Sequence, residues 1–121
     1  MNLQKRKIGI IGAGHVGSHA GYSLISQDLA EEIVYIDVDE KKAAAQALDL
    51  SDAVKYLPSR AKVHAGDYTE IADAQLLITA AGPLPDISKG QTRMDTLRQT
   101  IVIMKEVTES IRMSGFAGII I

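Results

Sequence analysis

Short apolar runs alternate along the chain with longer segments in which apolar residues recur every three or four positions. The longer segments predict helices over residues 15–28, 40–56 and 92–114, the last ending at Gly115. The short runs predict five strands, at residues 8–12, 33–36, 61–65, 76–81 and 116–121. Each helix has a predicted buried stripe, made of Val16, Ala20, Leu24 and Ile25 in the first, Ala43, Ala47, Leu50 and Val54 in the second, and Leu97, Ile101, Met104, Val107 and Ile111 in the third.

This alternation predicts an α/β fold. Strands separated by helices pair in parallel through right-handed crossovers, and five of them favour a doubly wound sheet with strand order 3-2-1-4-5. The sequence stops at Ile121, inside the fifth predicted strand. Because a bare apolar strand edge invites aggregation, we expect residues 1–121 to be one domain of a larger protein, truncated at that strand.

Composition excludes several classes of protein. Thirteen basic and fifteen acidic side chains give a net charge of −2, which argues against a nucleic-acid partner. The chain has no cysteine, and therefore no disulfide or thiolate site. No apolar run is long enough to span a bilayer. The start, residues 1–7, is basic, but the stretch that follows is broken by glycines and His15 and lacks the apolar core of a signal peptide. We expect a soluble, cytoplasmic protein without a membrane partner.

A glycine-rich segment, Gly12-Ala-Gly-His-Val-Gly17, connects the first predicted strand to the first predicted helix. In this setting G-x-G-x-x-G is typical of dinucleotide binding. Gly12 allows a tight turn, Gly14 lets the backbone approach a pyrophosphate, and Gly17 lets the helix pack closely on the strand. The start of the helix favours the negative charge of the phosphates. Glycine turns also occur for packing reasons alone.

Asp37 strengthens this interpretation. It ends the second strand 20 residues after Gly17 (37 − 17), where a carboxylate accepts hydrogen bonds from the adenosine ribose. A carboxylate there repels a 2′-phosphate, so NAD is favoured over NADP. Asp37 alternatively caps the second helix, although Asp39 is better placed for that role. FAD and S-adenosylmethionine sites have related geometry and remain alternatives.

The ordered motifs of the chain resemble the L-lactate dehydrogenase family of NAD-dependent L-2-hydroxy acid dehydrogenases, which have a Rossmann domain. The resemblance extends through nearly the whole chain, and the set is more specific than the glycine loop alone. Its motifs are Ile8-Gly-Ile-Ile-Gly-Ala-Gly-His-Val-Gly17, Tyr35-Ile-Asp-Val38, Ala47-Leu-Asp-Leu50, Thr79-Ala-Ala-Gly82 and Gly90-Gln-Thr-Arg93.

The resemblance implies a hydride transfer between NAD(H) and a small L-2-hydroxy or 2-oxo acid. It implies that Arg93, on a mobile loop, polarises the substrate carbonyl, whereas an ordinary charge in the first turn of a helix is the structural alternative. A cation there opposes the helix dipole, which weakens that alternative. The implied cofactor-binding residues are Gly12, Ala13, Gly14, His15, Val16, Gly17, Asp37, Lys42, Tyr68, Ala81, Gly82 and Pro83.

Two departures from lactate-specific members bear on the substrate. Seven residues separate Gly82 from Gly90 where those members have about five, and Thr100 stands where they usually have asparagine. Both features are similar to the branch that acts on bulkier acids such as L-2-hydroxyisocaproate. No arginine lies between Gly82 and Gly90 to pair a second carboxylate, so a malate-type enzyme is disfavoured, and Asp86 there would repel an acidic substrate.

Other groups of the family's reaction have no counterpart in this chain. The resemblance places the proton-transferring histidine, its aspartate and the carboxylate-binding arginine in a later, substrate-binding domain, so we expect residues 1–121 alone to be inactive. His15 and His19 have metal-ligand spacing but no evident third ligand, so no metal site is predicted. A non-catalytic dinucleotide-binding module remains the alternative function. Relatives suggest a homodimer or homotetramer, and small residues along helix 40–56 would suit subunit packing.

Overall fold

A computed structural model describes residues 5–121, so part of the basic start lies outside the described residues. These residues form five strands, three α-helices and two short 3-10 helices, at Tyr68–Ile71 and Ile87–Lys89. The strands are β1 (Lys7–Ile11), β2 (Glu32–Ile36), β3 (Lys62–Ala65), β4 (Leu76–Thr79) and β5 (Ile119–Ile120). The helices are α1 (His15–Ser26), α2 (Glu40–Val54) and α3 (Leu97–Ser114).

The strands form one parallel sheet in the order β3-β2-β1-β4-β5, which confirms the prediction. In the centre of the sheet, Ile10 of β1 lies beside Tyr35 of β2 and Ile78 of β4. The register aligns the carboxyl ends of β1, β2 and β4 along one edge. In doubly wound sheets this edge, where the strand order reverses, is where ligands bind.

Helices cover both faces of the sheet, and alternate strand residues divide between two cores. The first core joins Ile33 and Tyr35 to Ile25 of α1 and to the buried alanines and Leu50 of α2. The second joins Val34 and Leu77 to Val107 and Ile111 of α3. Neighbouring residues of β2 therefore enter opposite cores, which explains why β2 is apolar along almost its whole length.

The predicted stripe of α2 is correct, because Ala43, Ala47 and Leu50 are buried and Val54 packs partly against them. The stripe predicted for α1 is only partly correct. Its buried residues are Gly17, Gly21 and Ile25, while Val16 is 70% exposed. A hydrophobic pattern overlooks glycine, yet here two glycines form the surface that contacts the sheet.

The start of the third helix was predicted wrongly. α3 begins at Leu97, not at residue 92, because Asp95 accepts hydrogen bonds from the amide and hydroxyl of Thr92, at 2.6 and 2.8 Å, and closes a turn. Leu97 and Ile101 are each 45% exposed instead of buried, whereas Val107 and Ile111 are buried as predicted.

β5 is shorter than predicted, although the carbonyl of Ile121 still accepts from the amide of Thr79 at 2.8 Å. None of the helices within residues 5–121 is long and apolar enough to cross a membrane.

Candidate functional site

A cleft of about 510 Å³ opens at the carboxyl ends of the strands. Loops that follow β1, β2, β3 and β4 line one side of it, and the middle of α3 lines the other. Eight of the predicted cofactor-binding residues lie in its wall: Gly12, Gly14, Asp37, Lys42, Tyr68, Ala81, Gly82 and Pro83.

Two glycines of the loop, Gly12 and Gly14, line the cleft. Close contacts require glycine at two positions of the loop, Gly12 and Gly17. Gly12 has a φ of +102°, and a Cβ there would lie 2.7 Å from the backbone of Ala80. A Cβ on Gly17 would overlap the carbonyl oxygen of Gly12. The loop therefore needs glycine at both positions to pass between β4 and α1.

Gly14 differs from these two, because a Cβ there would meet only the ammonium of Lys42, at 3.8 Å. Gly14 is also the N-cap of α1 and has no side chain to cap the first amides of the helix. No acidic residue stands in that first turn. The first amides of α1 therefore have no capping side chain, and Gly14 itself lines the cleft, an arrangement suited to an anion.

Asp37 holds the glycine loop against the end of β2. Its two carboxylate oxygens accept hydrogen bonds from the backbone amides of Ala13, at 2.8 Å, and Asp39, at 3.0 Å. The carboxylate retains lone pairs for further donors, so the geometry is compatible with ribose hydroxyls as additional partners. Asp39, not Asp37, caps α2, since its side chain accepts from the amide of Lys42 at 3.1 Å.

Lys42 is the one basic residue among the described residues that line the cleft. Within residues 5–121 its ammonium forms no ion pair, and it lies near Gly14 at the start of α1. Its charge adds to the positive end of the helix and favours an anionic ligand there.

Four predicted cofactor-binding residues lie outside the cleft wall. Ala13 and Gly17 are buried, whereas His15 and Val16 are exposed. His19 Nδ1 donates to the carbonyl of His15 at 2.5 Å. No group of three or more potential metal-binding side chains occurs in residues 5–121.

Arg93 also lies outside the cleft wall. It is exposed in the turn before α3, and among the described residues its guanidinium forms no ion pair. Because α3 begins at Leu97, Arg93 is not in the first turn of a helix, and its charge does not oppose the helix dipole there as predicted.

The cleft has further wall residues that the sequence reading missed. Gly66 and Asp67 follow β3, and their position at a strand end could have identified them. Hydrogen bonds from the hydroxyl and amide of Thr69 lower the pKa of the Asp67 carboxyl, while burial raises the pKa of the neighbouring Tyr68. Glu106 and Ser110 reach the cleft from α3, where no local sequence signal marks them.

Comparison with known proteins shows which family the chain belongs to. Residues 6–121 match the family described as lactate/malate dehydrogenase, NAD binding domain. The chain belongs to this family. It is therefore an NAD-binding Rossmann domain of an oxidoreductase family, which confirms the predicted fold, cofactor and resemblance.

Individual relatives agree with this assignment. L-lactate dehydrogenase 3 of Bacillus cereus is 41% identical over 119 residues, covering 98% of this chain and 37% of that protein. L-lactate dehydrogenase 2 of the same species is 42% identical over 113 residues, covering 93% of this chain and 35% of that protein. The chain thus spans little more than a third of the length of these relatives.

Solved structures show the same likeness. The minor L-lactate dehydrogenase of Enterococcus mundtii, in its ligands-bound form, gives a TM-score of 0.90 at 38% identity, over 97% of this chain and 37% of that one. A lactate dehydrogenase from a deep-sea metagenome library of the Medee basin gives 0.87 at 34% identity, over 98% of this chain and 37% of that one.

Proposed function

We propose that residues 1–121 are the cofactor-binding part of a dehydrogenase that interconverts a small L-2-hydroxy acid and its 2-oxo acid. NADH, when bound, supplies the hydride. The observation that carries the proposal is the glycine loop beside the open start of α1, with Asp37 at the adjoining strand end. The remaining catalytic groups and the substrate-binding domain are assigned to the rest of such an enzyme.

The groups in the cleft wall match the parts of a dinucleotide. The amides at the start of α1 and the ammonium of Lys42 receive the pyrophosphate, where Gly14 leaves room for it. Asp37 binds the adenosine ribose, Tyr68 is a further cofactor-side residue after β3, and Ala81, Gly82 and Pro83 border the nicotinamide half. Ala13, His15, Val16 and Gly17 complete this proposed site as parts of the loop.

Arg93 is the proposed catalytic residue of this chain. Reduction of a 2-oxo acid places negative charge on the carbonyl oxygen, and a guanidinium stabilises that charge once water is excluded. Its exposed position before α3 and its lack of an ion pair within residues 5–121 leave it available for such a role. We propose that movement of the segment between Gly82 and Leu97 brings it to the substrate.

The same segment supports a monocarboxylic substrate, lactate-like or bulkier as in L-2-hydroxyisocaproate. It has no arginine between Gly82 and Gly90 to pair a second carboxylate. Hydrogen bonds from the hydroxyl of Ser88 and from Lys89 lower the pKa of the Asp86 carboxyl, which keeps it charged at neutral pH. A charged Asp86 near the substrate would repel a dicarboxylic acid.

The direct test is NADH oxidation by the intact protein in which these residues occur. Pyruvate, 2-oxo-4-methylpentanoate and oxaloacetate are offered in turn at equal concentration. Turnover of either monocarboxylic acid, with oxaloacetate the poorest substrate, is expected. Oxaloacetate as the best substrate would overturn the substrate assignment, and NADH binding without any turnover would favour a non-catalytic dinucleotide-binding module.

We further propose a cytoplasmic homo-oligomer, a dimer or tetramer. Exposed small residues on α2, Ala44 and Ala45, lie beside the exposed Leu48 and would allow close packing of a second subunit. Light scattering of the intact protein and of its Leu48→Glu variant tests the oligomeric state. We expect a dimer or tetramer that the substitution weakens, and a monomeric unaltered protein would contradict the proposal.

A further inference from the structure

The residues beneath the cleft include a buried tyrosine whose hydroxyl meets the first turn of α1. Tyr35 of β2 is fully buried, and its Oη donates a hydrogen bond to the carbonyl of Gly17 at 3.1 Å. That carbonyl belongs to the third residue of α1, in the turn that follows Gly14 of the cleft wall.

Gly21 makes this contact possible. It lies one turn further along α1, and a Cβ there would overlap Tyr35 Oη and would lie 2.9 Å from Tyr35 Cζ. It would also come within 3.0 Å of Leu50 of α2. The tyrosine ring thus occupies the space that a side chain at position 21 would need, and the helix rests directly on the phenol.

The chemistry of the phenol suits a permanent donor. Burial raises the pKa of Tyr35 to about 12, so the hydroxyl keeps its proton throughout the neutral range. The contact is buried, and it joins an interior strand of the sheet to the helix whose N-cap, Gly14, lines the cleft.

We propose that Tyr35 and Gly21 together are positioning residues that set the height and tilt of α1 and thereby align its first amides with the cofactor pyrophosphate. This inference rests on the proposed placement of the pyrophosphate at the start of α1. Tyr35 touches no ligand itself and acts only through the helix.

The test measures binding to the intact protein by calorimetry, using ADP-ribose, which contains the pyrophosphate, and adenosine, which lacks it. Tyr35→Phe removes the donor and keeps the ring, and loss of one buried hydrogen bond predicts about 3- to 10-fold weaker ADP-ribose binding. Adenosine affinity should not change. In steady state the KM for NADH should rise while kcat stays constant.

Gly21→Ala adds a methyl group against the phenol oxygen and should weaken ADP-ribose binding by about tenfold or more, as expected for overpacking in a rigid core. The double variant Gly21→Ala with Tyr35→Phe removes the oxygen that the methyl group meets. It should therefore bind ADP-ribose more tightly than Gly21→Ala alone. A variant affected only through general destabilisation would not be rescued by losing a hydrogen bond.

Gly118→Ala is the matched control, because its Cβ would meet the carbonyl oxygen of Gln75 near the amino end of β4, far from the cleft. It should lower the unfolding temperature without changing the preference for ADP-ribose. Equal losses for both ligands in Tyr35→Phe, or a double variant no better than Gly21→Ala, would overturn the inference. If the unaltered protein bound both ligands equally well, the proposed pyrophosphate site itself would fail.

Discussion

The face of the sheet covered by α1 and α2 differs from the face covered by α3 in how its apolar residues are used. Under α1 and α2 the core is continuous, from Ile25 through Tyr35 to Leu50. Under α3 only the second half of the helix is buried, while Leu97 and Ile101 remain half exposed. The glycine loop is therefore supported by completed packing, whereas the segment that contains Arg93 is not.

This difference matches the two proposed tasks. A cofactor site benefits from rigid amides, which the packing of α1 against β2 provides. A residue that moves to the substrate belongs in a segment with little buried surface, where local opening costs little free energy. Residues 84–95 are held mainly by short turns, such as the Asp95–Thr92 and Asp86–Ser88 hydrogen bonds.

The largest effect is expected for Arg93, where a substitution should change turnover but not cofactor binding. Arg93→Ala in the intact enzyme should lower kcat with a 2-oxo acid by about 100- to 1000-fold, the range typical for removing a group that stabilises developing charge. NADH affinity should stay unchanged, because Arg93 lies outside the cleft wall. Stopped-flow kinetics measure kcat, and a titration with NADH measures the affinity.

Arg98→Ala, an exposed arginine of α3, is the control and should leave turnover intact. Parallel losses of turnover and NADH affinity in Arg93→Ala would contradict the assigned role.

The second substitution is in the glycine loop, on the side of the sheet where packing is complete. Gly12→Ala forces a side chain into a positive φ and against the Ala80 backbone, so the loop must shift. We expect the free energy of unfolding to fall by about 1–3 kcal/mol and NADH binding to weaken by at least about tenfold. Denaturant titration and calorimetry measure the two quantities. Wild-type stability together with wild-type affinity would show that the loop tolerates a side chain.

Asp37→Ala tests the adenosine end. Removing the carboxylate removes the repulsion of a 2′-phosphate and the anchor of the Ala13 amide, so NADH should bind about tenfold more weakly relative to NADPH. The ratio of the two dissociation constants is the measurement. An unchanged ratio would remove the ribose assignment while leaving the anchoring role intact.

The smallest effect on function is expected at the amino end of the sheet. Burial raises the pKa of Glu32, but hydrogen bonds from Lys5 and His64 and the charge of Lys7 outweigh it and lower the pKa to about 2. Because the folded-state pKa lies below the ordinary value of 4.5, this stabilisation is present above pH 4.5 and is lost as the pH falls toward 2.

Glu32→Gln should therefore remove part of the acid dependence of unfolding, about 1–2 kcal/mol between pH 5 and pH 2 after allowance for solvent screening. NADH affinity at neutral pH should remain unchanged. An acid unfolding curve identical to that of the unaltered protein would show that the interactions of the Glu32 carboxylate contribute nothing to stability.

The sequence was most informative where chemistry and periodicity coincide. The strand order, the stripe of α2 and the position of the glycine loop beside Asp37 all follow from local patterns. The contact face of α1 did not, because hydrophobicity scores favour Val16 while the real face uses Gly17 and Gly21 to admit Tyr35. That requirement is set by a residue of a different strand.

Other errors have similarly nonlocal or competing causes. Asp95 forms a turn where helical periodicity alone would continue α3 to residue 92. The contributions of Glu106 and Ser110 to the cleft depend on how α3 crosses the sheet, which periodicity does not determine. The roles of Arg93 and of the individual cleft residues stay predictions.

The central claim is that the cofactor pyrophosphate lies on the amides at the start of α1, beside Gly14. Gly14→Ala tests it most directly, since a Cβ there meets only the end of the flexible Lys42 side chain at 3.8 Å within the fold. NADH calorimetry and thermal unfolding would be measured on this variant together. We expect only a small fall in the unfolding temperature, because alanine is less favourable than glycine at an N-cap, and NADH binding weakened by at least about tenfold, as for a side chain in the phosphate position. Unchanged NADH affinity would contradict it.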